Sequence, residues 1–382
     1  MRFSPLLAEL GTYPFAVLDA AKDEARARGV ELIDFSIGDP REGADPFVRE
    51  ALIDALANVA GYPRAAGLAS LRSAVADWVD RRFGVTVDSE VEIIPTLGAK
   101  EAIFSFAQVV VDPAGGKDLV VATEPGYPVA VRGARFAGAQ VLELPLTRES
   151  GFLPDLDAVA PDLWRRTAVL WLNYPNNPTG ACAPLALYER ANELAERYDF
   201  LIASDEAYSE IYTGDAPSSA LEVTERERIV VFNSLSKRSS MTGYRAGFMV
   251  CSAEVATAVK LFRPMIGAAP QEFVQQAAIA ALGDESHVTR TRERYARKRE
   301  LMRAAFAALG FDDAGGDATM FLWLATPAAE TSDQVALQLL ENGIVVTPGG
   351  ALGASGDGYV RVALVPTESD CARAAQILEE MQ

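Results

Sequence analysis

The chain has 382 residues, enough for one large domain or two smaller ones whose core needs no disulfide or metal staple. It carries 35 Lys and Arg against 53 Asp and Glu, a net charge of −18, which argues against nucleic acid or an anionic membrane as partner. Three cysteines without a CxxC pair and one histidine argue against a disulfide framework, Ser-His-Asp hydrolases and His-ligated zinc.

The beginning of the chain lacks the apolar stretch of a signal peptide, because Glu9 and Pro14 interrupt it. No apolar run in the sequence approaches the length of a membrane span. We therefore expect a cytoplasmic protein. The single histidine, His287, begins a highly charged segment, and we interpret it as a surface or helix-capping residue.

Strand-like and helix-like segments alternate along the first two-thirds of the chain, which predicts an α/β fold of three layers around a mostly parallel sheet. From about residue 270 long helical patterns lead into three more apolar segments, which predict a smaller α+β domain. The strand-like segments are 91–95, 118–123, 167–173, 199–208, 228–237, 244–252, 318–325, 343–349 and 359–365. We predict an N-terminal segment packing with the small domain, a large domain and a small C-terminal domain, at 1–44, 45–280 and 281–382.

Unusual polar residues follow four of these strands. Ligands collect at the carboxyl ends of strands in α/β sheets, so these residues define the candidate site. They are Gly98 to Lys100, Asn173 to Gly180, Asp205 to Tyr208, and Ser234 to Lys237.

Lys237 stands just past a buried strand, among serines, with Arg238 beside it and Arg245 eight residues further on. Burial and neighbouring cations lower the pKa of a lysine, and a neutral amine suits imine chemistry on a phosphorylated aldehyde. Ser234, Ser236 and Arg245 could hold the phosphate, as could the free N–H groups of a helix beginning near Gly98. A carboxylate such as Asp205 could pair with a cationic ring nitrogen or simply cap a helix.

Five motifs in this order resemble those of class I/II aminotransferases, enzymes of fold type I that depend on pyridoxal 5′-phosphate. They are "EPGYP" (124–128), "NNPTG" (176–180), "SDEAY" (204–208), "SLSK" (234–237) with Arg245, and "YVRVAL" (359–364). The set spans nearly the whole chain, and no motif of it is specific alone. The resemblance implies that residues 45–280 bind the cofactor.

The resemblance also implies a role for each matching residue. Lys237 forms the Schiff base with the cofactor and moves the proton, Asp205 pairs with the ring nitrogen, and Tyr208 completes the catalytic set. Arg361, Gly38 and Asn177 bind the substrate, and Tyr62 reaches the phosphate of a neighbouring subunit, which implies a homodimer with shared active sites. The cofactor-binding residues are Gly98, Ala99, Lys100, Tyr127, Asn177, Asp205, Tyr208, Ser234, Ser236, Lys237, Arg245 and Tyr62 from the partner subunit.

The arginine and serine directly after Lys237 resemble the succinyldiaminopimelate aminotransferases of lysine biosynthesis, which implies glutamate as donor and N-succinyl-2-amino-6-ketopimelate as acceptor. Lys100, Arg41 and Arg64 are candidates for the distal carboxylates. Aspartate, alanine or aromatic substrates remain an alternative, as does a C–S β-lyase on the same fold. A regulator with an aminotransferase-like domain has little support, because no basic segment precedes the motifs.

Two features of the sequence allow an alternative interpretation. Arg361 could face solvent from an edge strand, the common position of a strand arginine. The glycine-rich segment "PGGALGASGDG" (348–358) looks like a nucleotide-binding loop, but it precedes a strand and lacks G-x-G-x-x-G, so we reject that interpretation.

Overall fold

The computed structural model describes residues 4–9, 14–57, 59, 61–327 and 330–381. The longest helix, α12, has 23 residues and carries His287 in its first turn. The helices are α1 (Pro5–Glu9), α2 (Pro14–Ala27), α3 (Pro46–Leu56), α4 (Ala69–Phe83), α5 (Ala99–Val110), α6 (Val129–Phe136), α7 (Pro161–Arg166), α8 (Leu185–Tyr198), α9 (Leu235–Arg238), α10 (Ala253–Phe262), α11 (Glu272–Leu282), α12 (Ser286–Ala308), α13 (Ser332–Glu341) and α14 (Glu368–Glu380).

The strands form three sheets within the described residues. They are β1 (Ile33–Asp34), β2 (Ile93–Thr96), β3 (Leu119–Glu124), β4 (Gln140–Pro145), β5 (Thr167–Asn173), β6 (Leu201–Asp205), β7 (Ile229–Ser234), β8 (Gly247–Val250), β9 (Asp312–Asp313), β10 (Phe321–Ala325), β11 (Ile344–Val345), β12 (Thr347–Pro348) and β13 (Tyr359–Ala363).

The largest sheet has seven strands in the order β2-β8-β7-β6-β5-β3-β4. Only β8 runs antiparallel to its neighbours, β2 and β7. Alternate residues of β5 enter two different apolar clusters: Leu170 and Leu172 join one, and Val169 and Trp171 the other. Helices therefore cover both faces of the sheet, and the predicted three-layer α/β fold is confirmed.

The second sheet has four antiparallel strands in the order β12-β13-β10-β9. Its residues share an apolar cluster with α12 and α14. The short β1 pairs in parallel with β11, so the start of the chain joins this part of the molecule. By contrast, Val274 and Ala277 of α11 pack into a core of the seven-stranded sheet. The three predicted domains and the two boundaries between them stay a prediction.

The sequence did not predict strand β4 at the edge of the sheet, where Gln140 and Glu143 interrupt a short apolar stretch. Half of its residues are exposed, so it lacks the apolar run that marks the central strands. Across the described part of the chain, no helix is both long enough and apolar enough to cross a membrane.

Candidate active site

A cavity of about 340 Å³ opens where β5, β6 and β7 end, between the large sheet and the four-stranded sheet. This is the carboxyl edge of parallel strands, where α/β proteins bind ligands. Its lining includes twelve of the predicted site residues: Gly38, Ala99, Lys100, Tyr127, Asn177, Asp205, Tyr208, Ser234, Ser236, Lys237, Arg245 and Arg361.

Lys237 lies in the short helix α9, which begins directly after β7 ends at Ser234. Its amine donates a hydrogen bond to the carbonyl oxygen of Gly38. The pKa of Lys237 is lowered to about 8, chiefly by burial; Asp39 opposes this shift, and Arg361 and Arg245 add to it. A substantial fraction of this amine is therefore neutral near physiological pH, as a nucleophile requires.

Arg238 does not contribute to that shift, although the sequence suggested it. Its guanidinium is buried on the other side of α9, where it donates to Glu285 Oε1 over 2.7 Å and to the carbonyl oxygen of Ala281. It also lies over the ring of Trp78. Adjacent residues of a helix point in different directions, and here only Lys237 points into the cavity.

Asp205 ends β6 on the wall of the same cavity. Its Oδ1 accepts a hydrogen bond from the backbone N–H of Ala207 over 3.2 Å, a cap-like contact. Burial raises the pKa of Asp205 to about 6. Among the described residues no cationic side chain pairs with this carboxylate. An isolated buried carboxylate is costly, which indicates a site adapted to a cationic ligand group.

One end of the cavity is suited to an anion. Helix α5 begins there at Ala99, so the N–H groups of its first turn point out of the helix end. Gly98, with φ of 73°, lets the guanidinium of Arg245 approach: a Cβ atom there would stand 2.5 Å from Nη2. The Ser234 hydroxyl bonds the Ser236 hydroxyl over 2.9 Å close to this end.

Arg361 is buried in β13, which lies between β12 and β10 and is therefore not an edge strand. It donates to Oδ1 of Asn177 over 2.9 Å and to the carbonyl oxygen of Ser36 over 2.5 Å. Its guanidinium carbon lies 4.6 Å from the ring centroid of Phe321. The interpretation of Arg361 as a solvent-facing residue is wrong, and a planar cation fixed in this way suits a carboxylate.

Two tyrosines and an asparagine complete the walls. Tyr208 is buried, and burial raises the pKa of its hydroxyl although Arg361 opposes the shift. Tyr127 is half-buried and lies two residues before the start of α6, on the cavity wall. Asn173 of β5 joins the strand ends, because its side chain donates to the carbonyl oxygen of Asp205 and accepts from the N–H of Asn177.

Three of the residues predicted to contact cofactor or substrate do not line this cavity. Tyr62 is fully exposed and does not line the cavity. Arg41 and Arg64 are exposed and do not line the cavity, so of the three candidates for a distal carboxylate only Lys100 does.

His287 is buried rather than on the surface, so its interpretation as a surface residue is wrong. Its Nδ1 lies 3.0 Å from Asp284 Oδ1 and its Nε2 lies 2.9 Å from the Ser239 hydroxyl. The ring also meets the edge of Phe47. A charged sequence segment hid this contact, because only the fold brings Ser239 to the start of α12.

The sequence did not point to several other lining residues: Ile37, Asp39, Ile103, Phe321 and Leu352. Ile37 and Asp39 flank Gly38 within "SIGDP", and this proximity was the available signal. Phe321 could not be found in this way, since it meets Arg361 only through the pairing of β10 with β13.

Three comparisons identify the class of protein. The sequence model described as "Aminotransferase class I and II" matches residues 30–378. LL-diaminopimelate aminotransferase of Nitratidesulfovibrio vulgaris (strain DP4) is 39% identical over 365 residues, 94% of this chain and 93% of that protein.

Solved structures agree with that assignment. An aminotransferase from Neisseria meningitidis has a TM-score of 0.90 and 34% identity, covering 98% of this chain and 99% of the other. A probable N-succinyldiaminopimelate aminotransferase from Thermus thermophilus has a TM-score of 0.89 and 30% identity, covering 96% and 100%. The chain belongs to the class I and II aminotransferases and is a transferase dependent on pyridoxal phosphate.

Proposed function

We propose that this chain binds pyridoxal 5′-phosphate through Lys237 and transfers an amino group between glutamate and a 2-oxo acid. One observation carries the proposal above all: a lysine of lowered pKa, an unpaired buried carboxylate and a fixed arginine line one cavity. When bound, the cofactor supplies an electrophilic carbonyl and a cationic ring that withdraws electrons.

The residues present fit this cofactor. We assign the phosphate to the start of α5, with Gly98, Ala99 and Lys100, and to Ser234, Ser236 and Arg245 across from it. The anion-adapted end of the cavity supports this assignment. Arg245 has φ of 58°, a left-handed conformation that costs a non-glycine residue roughly 1 kcal/mol and is common at functional sites.

The other end of the cofactor is assigned to the sheet. Asp205 would pair with the ring nitrogen and keep it protonated, which would give this buried carboxylate a cationic partner. Asn177 and Tyr208 would hold the ring hydroxyl oxygen as hydrogen-bond donors, and Tyr127 would pack against the ring. These roles rest on the positions of the side chains around one cavity.

The reaction then follows from three side chains. Arg361 binds the α-carboxylate of the amino acid and orients its Cα–H bond toward Lys237, with Gly38 close to the same amine. The neutral Lys237 amine would act as the base that takes the proton from Cα of the amino acid. The same group, then protonated, would act as the acid that gives this proton to the cofactor carbon that receives the amino group. Tyr208, whose pKa is raised, stays protonated and acts as a hydrogen-bond donor.

For the substrate we propose an acid with the diaminopimelate skeleton, since relatives at 39% identity are named LL-diaminopimelate aminotransferase. N-succinyl-2-amino-6-ketopimelate, with glutamate as donor, is the second form of this proposal. The residues after Lys237 and the Thermus thermophilus structure favour it. The two forms differ at the distal end, where a succinyl carboxylate replaces an ammonium group.

We further propose a homodimer in which Tyr62 enters the site of the second subunit. The fully exposed Tyr62 and exposed apolar side chains at Leu261 and Met265 support it. Light scattering at assay concentration tests it: a fully active monomer would contradict the dimer.

The function is tested by half-reactions. Protein loaded with pyridoxal phosphate is mixed separately with glutamate, LL-diaminopimelate, its N-succinyl derivative, aspartate, alanine, phenylalanine and cystathionine, while the cofactor spectrum is followed. Fast conversion by glutamate with one of the two diaminopimelates supports the proposal and selects the form. Fast conversion by phenylalanine or alanine instead retains the aminotransferase and discards this substrate. Pyruvate and ammonia from cystathionine would indicate a β-lyase, and an unchanged spectrum on adding the cofactor would overturn the role of Lys237.

A further inference from the structure

The glycine-rich segment 349–358 connects β12 to β13 and forms part of the cavity wall. It contains two short 3₁₀ turns, Gly349–Leu352 and Ala354–Gly356. Leu352, which is largely buried, lines the cavity together with Ile37. The carbonyl oxygen of Leu352 accepts a hydrogen bond from the N–H of Gly126 over 2.9 Å, next to Tyr127.

A carboxylate clamps this segment to the large sheet. Glu124, the last residue of β3, accepts from the hydroxyl of Ser355 over 2.6 Å and from its backbone N–H over 3.2 and 3.3 Å. Gly353 has φ of 145°, and a Cβ atom there would collide with the Glu124 carboxylate. The clamp therefore needs glycine at 353, and it fixes the position of Leu352.

We propose that the segment 349–358 is a substrate-specificity wall and that Leu352 is its specificity-determining residue. The inference rests on the proposed function in one respect, namely that Arg361 binds the substrate carboxylate. Arg361, Leu352 and Ile37 line one cavity, so a substrate chain held by its carboxylate at Arg361 has these two apolar residues available to contact. The wall favours amino and oxo acids with a longer unbranched aliphatic chain over those with a shorter one.

The wall is tested with ligands that undergo no chemistry. Butanoate, pentanoate and hexanoate are titrated into cofactor-loaded protein by calorimetry, and the dissociation constant is plotted against chain length. Burial of each methylene in an apolar site strengthens binding by about fourfold. We expect about that slope in the unchanged protein and a slope below about 1.5-fold per methylene in Leu352→Ala, because the truncated wall leaves the chain in water.

The matched control is Leu337→Ala, the same truncation at an exposed position of α13, which should keep the slope. Ser355→Ala, which removes the shortest clamp contact, should give an intermediate slope. If Leu352→Ala does not fold, Leu352→Val removes one carbon only and should give a slope near twofold. An unchanged slope in either Leu352 variant, or no slope in the unchanged protein, overturns the proposal.

This outcome is separate from that of the proposed function. Binding of Lys237 to the cofactor is seen in the absorption spectrum, which chain length does not affect. Loss of carboxylate binding in Arg361→Ala, with the spectrum retained, would show that the carboxylates occupy the substrate position. If the carboxylates still bind at full strength in that variant, they lie elsewhere and the inference fails while the proposed function stands.

Discussion

Charged residues that are neighbours in the sequence lie on opposite sides of the sheet edge and differ in their hydrogen-bond partners. On the cavity side lie Lys237 and Asp205, and on the closed side lie their sequence neighbours Arg238 and Glu206. The closed-side charges have partners inside the chain: Arg238 bonds Glu285, and Glu206 accepts from Ser204 and Ala220. Of the cavity-side charges, Asp205 receives one backbone N–H within the described contacts.

This difference separates charges that serve the fold from charges that serve a ligand. A buried charge is tolerated when hydrogen bonds replace the water it loses. Where the chain supplies too few of those bonds, burial shifts the pKa of the group toward its neutral form, as it does for both Asp205 and Glu206. The two carboxylates differ in that Asp205 lines the cavity, where a bound molecule can supply the missing partner. Substitutions on the two sides should therefore separate activity from stability.

The largest effect is expected at Lys237. In Lys237→Ala the amine that binds the cofactor and moves the proton is missing, so turnover should fall about 1,000-fold or more. Steady-state assays with glutamate and the 2-oxo acid measure it. Lys260→Ala, which truncates a lysine of α10 far from the cavity wall, should retain activity. Wild-type turnover by Lys237→Ala would show that the active site does not lie in this cavity.

Asp205→Asn should lower kcat about 100-fold, because an amide cannot hold a cationic ring nitrogen as a carboxylate does. Without cofactor the same change should stabilise the protein above pH 6. The folded pKa of Asp205, about 6, lies above its ordinary value of 3.8. Ionising the buried carboxylate therefore lowers the free energy of unfolding as pH rises from 3.8 to about 6. Steady-state kinetics measure the change in kcat, and denaturation of the cofactor-free protein measures the change in stability. If Asp205→Asn is less stable than the unchanged protein at pH 8, the Asp205 carboxylate is not buried without a partner.

The closed side should respond in the opposite way. Arg238→Met removes a buried guanidinium from its pair with the partly exposed Glu285 and should reduce the free energy of unfolding by about 2 kcal/mol, with turnover per folded molecule nearly unchanged. Urea denaturation and kinetics on the same samples check both. Arg228→Met, at a more exposed pair with Asp199, should cost under about 1 kcal/mol. A large loss of turnover at Arg238 would place it with the cavity-side charges.

This division marks the limit of what could be predicted from the sequence. Apolar runs predicted the central strands, and the polar residues after them predicted the cavity edge, because both signals are local. Whether Lys237 or Arg238 enters the cavity depends on the direction in which α9 leaves β7. The contact of Arg361 with Asn177 joins residues 184 positions apart, and the burial of His287 depends on Ser239. Such contacts depend on how distant segments pack together, and the spacing of residues along the sequence does not predict that packing.

The smallest effect is expected at Glu206, directly beside Asp205. Burial raises the pKa of Glu206 to about 7, although hydrogen bonds from Ser219, Ala220 and Ser204 oppose the shift. Since its ordinary pKa is 4.5, the folded state binds the proton more tightly, and stability falls as pH rises from about 4.5 to 7.

Glu206→Gln keeps an oxygen for Ala220 and Ser204 but has no charge to bury. Its stability relative to the unchanged protein should therefore rise by about 2 kcal/mol between pH 5 and pH 8, while kcat stays within a few-fold. Urea denaturation across this pH range measures it, and the exposed Glu227→Gln should show a flat difference. A flat difference for Glu206→Gln would mean that its hydrogen bonds fully offset burial. A loss of kcat comparable to that of Asp205→Asn would mean that both carboxylates serve the ligand.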